Sequence, residues 1–194
     1  MLPYPYEPNQ NGITYPCYIQ PKLNGIRALY QVGHFQAQLR SATKPGRTVG
    51  VLITLRHLNQ PLSKIFGADV ILDGVLYIHG WSPEQIEQAI AVDSDEIRVS
   101  SGDQEPGEIE YHVFDVVNFN RSFESRFMAP ASILTDTQHL HKAKVVETHR
   151  LLSAKPVTYF YDKWLDAGYD GLIYRLNGCP YVSGKSKNLL YRQK

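Results

Sequence analysis

Short β-rich runs recur along this chain, at 16–20 (PCYIQ), 26–32 (IRALYQV), 35–40, 69–79 (DVILDGVLYIH), 110–118 (EYHVFDVVN), 144–150 and 169–176 (YDGLIYRL). Their spacing constrains the fold more than any other feature, because a doubly wound parallel sheet needs a helix-length crossover between successive strands. Here strands alternate irregularly with helices, and several long runs read as antiparallel neighbours. The pattern predicts an α+β fold of packed antiparallel sheets flanked by helices.

Helical segments lie between the runs. Residues 49–66 carry apolar positions at helical spacing. Ser82, Pro83 and Gln85 read as a helix start, with a cap, a first-turn proline and a capping-box partner. A helix over 155–167 ends at Gly168, the residue type that suits a C-terminal cap. With 194 residues and 43% hydrophobic content the chain can bury a core as a single domain, 1–194, of which 1–14 is an extended N-terminal segment.

Composition excludes several functions. The start, MLPYPYEPNQNG, has no basic region followed by an apolar run and is not a signal peptide. No stretch approaches the roughly 18 consecutive apolar residues of a membrane helix. Cys17 and Cys179 are too few for a disulfide framework and lack zinc-site spacing, which points to a reducing, cytoplasmic setting. A net charge of +1 is not that of a protein that coats nucleic acid, so any such contact must be local. Arg40, Lys44 and Arg47 form one basic cluster, and Lys185, Lys187, Arg192 and Lys194 another. Each also reads as a solvated loop or tail.

The hexapeptide KLNGIR, Lys22 to Arg27, concentrates reactive residue types. A lysine is a nucleophile only as the free amine, so a site must supply neighbouring cations, burial or a metal. Gly25 lets the backbone turn closely around a ligand, and Arg27 places a fixed charge suited to phosphate or ribose oxygens. Alone, the string also fits a surface β-turn with flanking charges. What changes its weight is that ILDGVLYIHG, EYHVFDVV and GYDGLIYR follow it in that order.

In this order the segments resemble those of the covalent nucleotidyltransferases, and among them the adenylation domain of ATP-dependent DNA ligases of phage and viral type. KLNGIR looks like the K-x-D-G-x-R box, whose lysine becomes adenylated, and LDGVLY at Leu72 to Tyr77 looks like the third box, usually LDGEL. HVFDVV at His112 to Val117 is similar to the strand whose aromatic residue covers the adenine, which points to Phe114. RSFESRF resembles the segment after it, where an arginine such as Arg126 is common. GYDGLIYR looks like the fourth box, and the tail SGKSKNLLYRQK resembles the fifth. The resemblance runs from about Tyr15 to the last residue and implies a ligase-type, ATP-grasp-like nucleotidyltransferase fold.

The resemblance also implies a set of roles. Lys22 would attack the α-phosphate of ATP as pyrophosphate departs, and AMP would pass to a 5′-phosphate at a nick in double-stranded DNA, to be displaced by the neighbouring 3′-hydroxyl. Gln20 would touch the adenine edge, Phe114 its face, and Arg27 the ribose or a DNA phosphate. Asp170 and Asp73 would hold Mg²⁺, Arg192 and Lys194 would reach the α-phosphate, and Arg40, Lys44, Lys185 and Lys187 would meet DNA. Nick sealing of this kind serves replication, repair and recombination, in the host cytoplasm for a phage enzyme. A monomer is expected. DNA ligases usually continue past the fifth box into an OB-fold domain, so the resemblance implies either that this sequence is a fragment of a longer protein or that a separate OB-fold domain or partner chain completes the site.

Departures from the family pattern keep other readings open. Asn24 replaces the acid of the first box, Val75 the glutamate of the third, and Asp170 the glutamate of the fourth. Ala42 stands where an arginine is expected, and a gapless alignment puts Tyr191 and Gln193 at the two lysine positions of the fifth box; a shift of one residue uses Arg192 and Lys194 instead. A working ligase in which Asp73 or Asp115 compensates for a missing acid is one reading. A catalytically impaired protein that binds nucleotide or nicked DNA is another, and an RNA ligase or guanylyltransferase relative a third.

Overall fold

The computed structural model describes residues 2–5, 12–40, 48–53, 55–90, 108–136 and 140–193; side chains at 2–4, 40, 48–49, 51–52, 129 and 185–193 lie outside the description. In chain order the strands are β1 (Leu2–Pro5), β2 (Cys17–Pro21), β3 (Ile26–Gln31), β4 (His34–Arg40), β5 (Thr48–Ile53), β6 (Leu72–Tyr77), β7 (Glu110–Val116), β8 (Ala143–Val145), β9 (His149–Leu151), β10 (Gly171–Leu176) and β11 (Lys185–Gln193). The helices are α1 (Arg56–Ser63), α2 (Pro83–Ala89), α3 (Phe123–Asp136) and α4 (Val157–Asp166). The chain divides into two compact units, one of Met1–Leu23, Val117–Pro130 and Val146–Lys194, the other of Asn24–Val116 and Ala131–Val145. No described helix is long and apolar enough to cross a membrane.

The first unit holds a sheet in the order β1-β11-β10-β2-β9. Its pairs are antiparallel except β1 with β11, which run parallel. β2 is buried along its whole length, as expected of a central strand covered on both faces. Val157 and Trp164, two helical turns apart on α4, pack with Ile19, Leu172 and Tyr174. Gly168, with φ 86°, follows the C-cap Ala167 and takes the left-handed conformation that a helix exit favours. The sequence thus places this helix end at the right residue.

The second unit holds a sheet in the order β5-β4-β3-β6-β7-β8, antiparallel except for β7 with β8. β3 alternates as its sequence requires, with Ile26, Ala28 and Tyr30 in the core and Arg27, Leu29 and Gln31 on the other face. Tyr111 anchors that core; its hydroxyl bonds the carbonyl oxygens of Ala28 and Leu72, both at 3.0 Å. The glycine of Leu72-Asp73-Gly74 makes room for it, since a Cβ on Gly74 would lie 2.6 Å from the Tyr111 ring. At α2 the Ser82–Gln85 capping box and Pro83 at the first turn are present as the sequence predicts.

Other expectations need correction. The helix over 49–66 is in fact β5 followed by α1, because Thr48, Val49, Val51 and Ile53 suit a strand paired with β4, leaving Leu58 and Leu62 as the helical pair facing the core. The run 144–150 is two short strands, β8 and β9, which join different sheets. Sequence periodicity does not predict α3 at all.

Candidate active site

Strand register brings Lys22 and Asp170 together. β10 lies antiparallel to β2 with Leu172 opposite Pro21, and the pairing continues past the strand end. The Lys22 N–H donates to the Gly171 carbonyl at 2.9 Å, and the Asp170 N–H to the Lys22 carbonyl at 3.0 Å. Gly171 permits this turn with φ 131°, a conformation that side chains rarely adopt. Lys22 Nζ then lies 3.3 Å from Asp170 Oδ2, with the two side chains 23% and 34% exposed. That separation exceeds the roughly 2.7–2.9 Å of a tight charge-assisted bond, so the carboxylate is loosely engaged and open to solvent.

Gln20, two residues earlier on β2, is buried. Its Nε2 donates to Thr148 Oγ1 at 2.8 Å, and its Oε1 accepts from Arg175 Nε. Thr148 passes the chain on to the Val146 carbonyl at 2.8 Å, and the Arg175 guanidinium sits 4.8 Å above the Phe123 ring. The orientation of the Gln20 amide is therefore fixed at both ends. Sequence reasoning missed Thr148, a lone threonine in a loop with no motif around it. Arg126 is also buried, donating from Nη1 to the carbonyls of Arg121 and Cys179.

Within the second unit the register sets Leu29 opposite Asp73 and Arg27 opposite Val75. Arg27 reaches one diagonal step along β6. Its Nε donates to Asp73 Oδ1 at 3.0 Å and its Nη2 to Asp73 Oδ2 at 2.9 Å, a bidentate fork on a carboxylate that is 0% exposed. Asp115 lies opposite Asp73, is also buried, and accepts from the Val116 N–H at 2.8 Å. A register shift between Asp73 and Gly74 leaves Phe114 as the extra residue of a bulge on β7, half-buried.

The replaced positions have distinct settings. Asn24 is exposed. Val75 is buried, and a Cβ on Gly25 would lie 2.4 Å from Val75 Cγ1 and 2.4 Å from the Leu76 carbonyl oxygen, so only glycine fits where this segment crosses β6. Arg40 ends β4; Lys185, Lys187 and Arg192 lie on β11, with Arg192 opposite Leu172, Tyr191 opposite Ile173 and Gln193 opposite Gly171. The side chains of these residues lie outside the description, as do Ala42, Lys44 and Lys194 entirely. Among the described residues no group of three or more His, Cys, Asp or Glu gathers as for a metal ion.

Against this geometry stand comparisons with known proteins. The profile of the family described as "ATP dependent DNA ligase domain" matches residues 10–194. The chain belongs to that family. No curated protein matches this ligase domain. Among solved structures it is similar to one from a structure-function study of Lig E DNA ligases, at 18% identity and TM-score 0.69, covering 100% of this chain and 68% of that one. It is similar to Chlorella virus DNA ligase-adenylate at 18% identity and TM-score 0.70, covering 99% and 66%. It is similar to the ATP-dependent DNA ligase of bacteriophage T7 in complex with ATP at 11% identity and TM-score 0.63, covering 99% and 67%. At these identities the likeness establishes the fold, that of a ligase nucleotidyltransferase domain. The ligase domain described here spans about two thirds of the length of those structures.

Proposed function

We propose that this ligase domain forms a lysyl-AMP at Lys22 and passes the AMP to the 5′-phosphate of nicked double-stranded DNA. Lys22 Nζ attacks the α-phosphorus of ATP, forming a P–N bond as the bond to pyrophosphate breaks. The DNA 5′-phosphate then displaces the lysine, and the 3′-hydroxyl displaces AMP to seal the strand. The observation that carries this reading is the register-fixed Lys22–Asp170 pair, a partly exposed amine beside a partly exposed carboxylate.

Mg²⁺ is commonly held by one or two carboxylates together with substrate phosphates. Asp170 fits that donor set; Asp73, buried with both oxygens on Arg27, does not, and we assign it to positioning the guanidinium. When bound, the ion would neutralise charge that develops on the phosphates. Phe114 would cover the base, Arg27 would meet the ribose or a phosphate, and Arg192 and Lys194 would meet the α-phosphate. Gln20 is buried with its amide engaged at both ends, which favours a role in shaping the base site over reading the adenine edge. Arg40, Lys44, Lys185 and Lys187 would meet DNA phosphates, making binding to a nick fall with salt.

A second reading, nucleotide or nick binding without efficient turnover, is favoured by Val75, which is apolar and buried where relatives of this family carry a glutamate. A single-turnover assay with ATP, Mg²⁺ and a duplex carrying a 5′-phosphate at one nick separates the two. The proposed function predicts a 5′-adenylated or sealed strand; binding to the nick with neither product establishes the second reading.

A further inference from the structure

A row in register crosses four strands of the second unit. Arg27 of β3 lies opposite Val75 of β6, Val75 opposite His112 of β7, and His112 opposite Lys144 of β8. Directly paired residues project from the same face of a sheet. Asp73 shares that face through its bond to Arg27, and Glu110 and Phe114 flank His112 two residues away on either side along β7.

The carboxylates of this face are already engaged. Asp73 holds Arg27 with both oxygens. Glu110 Oε1 accepts from Lys144 Nζ at 2.7 Å, and its Oε2 lies 2.8 Å from His112 Nε2. Asp115 Oδ1 accepts from a backbone N–H. Val75 offers no acceptor.

His112 does offer one. An ionised carboxylate can only accept, so the ring nitrogen facing Glu110 carries the proton, and a neutral imidazole then presents a lone pair at Nδ1. The charge states agree. Burial holds the imidazole below its ordinary pKa, and the Glu110 bond only partly offsets this. Burial would raise the Glu110 carboxyl, but Lys144 and His112 hold it below the usual carboxylate range. The ring is braced edge-on by Tyr77 at 5.2 Å between centroids and is 13% exposed. Among the described residues Nδ1 has no hydrogen-bond partner.

A base on Phe114 and an anion at Arg27 would place the sugar of a nucleoside triphosphate between them, along the row that His112 occupies. We propose that His112 Nδ1 accepts a hydrogen bond from a ribose hydroxyl, which makes His112 a residue that selects ribonucleoside over deoxyribonucleoside triphosphates. This rests on the reading of the same face as the nucleotide site.

Titration calorimetry on the whole chain with ATP, 2′-deoxy-ATP and 3′-deoxy-ATP tests it without DNA. The wild type binds ATP more tightly than one of the deoxy analogues by roughly three- to tenfold, the worth of one hydrogen bond. His112→Phe keeps a ring against Tyr77 but has no acceptor; it weakens ATP by that factor and leaves the disfavoured analogue unchanged. His112→Asn, whose Oδ1 hangs from Cγ as Nδ1 does, restores the preference, and His112→Gln does not. Equal affinity of the wild type for all three nucleotides overturns the proposal with no variant required. Equal weakening of all three by His112→Phe overturns it too, by showing a packing role. Both results leave the nucleotide site standing, whereas absence of any ATP binding removes the site and the proposal together.

Discussion

Lys22 and Asp170 are joined twice, by a backbone bond from the Asp170 N–H to the Lys22 carbonyl at 3.0 Å and by the ion pair of their side chains at 3.3 Å. The antiparallel pairing that sets Leu172 opposite Pro21 runs on through this contact, so the amine is placed by a sheet and not by a free loop. A protonated amine held against a carboxylate cannot attack phosphorus. In the proposed reaction the pair opens and Lys22 gives its proton to solvent, so that the free amine forms the P–N bond.

Asp170→Asn separates chemistry from stability. Because the pair is partly exposed, its loss should change unfolding free energy by less than about 1 kcal/mol. Loss of the carboxylate that would hold Mg²⁺ at the reacting phosphate should slow adenylation on the order of a hundredfold or more. Asp170→Glu should retain activity. Chemical denaturation and rapid-quench adenylation on the same preparations measure both quantities, and a large stability loss with unchanged adenylation would place Asp170 in the scaffold.

Asp73→Asn should act in the opposite sense. It leaves the Arg27 fork without its buried carboxylate, so a loss of about 2 kcal/mol is expected, with the Mg²⁺ concentration dependence of adenylation unchanged. Arg27→Met in the same background should add little in a double-mutant cycle. A shifted Mg²⁺ requirement in Asp73→Asn would return Asp73 to the metal.

Gly25→Ala should destabilise by about 1–3 kcal/mol through overpacking. The added methyl would meet both Val75 and the Leu76 carbonyl oxygen at 2.4 Å. Shrinking Val75 to alanine relieves only the first contact, since the backbone oxygen stays. The pair Gly25→Ala with Val75→Ala should therefore remain less stable than Val75→Ala alone by urea denaturation.

Acid should reveal Glu147. Burial would raise its carboxyl, but hydrogen bonds from His149, Lys163 and the Trp164 indole outweigh it and hold the pKa at about 2, against an ordinary 4.5. A depressed folded-state pKa contributes stability that is complete above 4.5 and drains away as pH falls towards 2. Thermal midpoints should drop through that window, and Glu147→Gln should flatten this part of the profile while lowering stability near neutral pH.

What the sequence discloses depends on how local the determinant is. The α2 cap at Ser82 and Gln85 and the α4 exit at Gly168 are legible because each rests on a few adjacent residues. Residues 48–53 mislead, because Val49, Leu52 and Ile53 satisfy a helical spacing as well as a strand, and only pairing with β4 decides. β8 and β9 are three residues each and draw their identity from remote partners. α3 hides because Pro130 reads as a breaker, and because Met128 and Ile133 are exposed while Phe123, Phe127 and Leu134 are buried, which blurs any stripe.

The same holds for the site. Lys22 and Asp170 can be read from their motifs, yet the register that joins them spans distant segments. The Glu110–His112 contact follows from strand alternation at i and i+2, but without knowledge of Lys144 and Val75 as neighbours it looks like any polar face.

Lys22 is the proposed adenylated nucleophile. The direct measurement is intact-protein mass spectrometry with peptide mapping after incubation with ATP and Mg²⁺. Adenylation at Lys22 yields a single added AMP, on the peptide containing Lys22, lost on acid treatment and absent from Lys22→Ala. An AMP adduct of equal yield in Lys22→Ala, or one mapped to another residue, would contradict it.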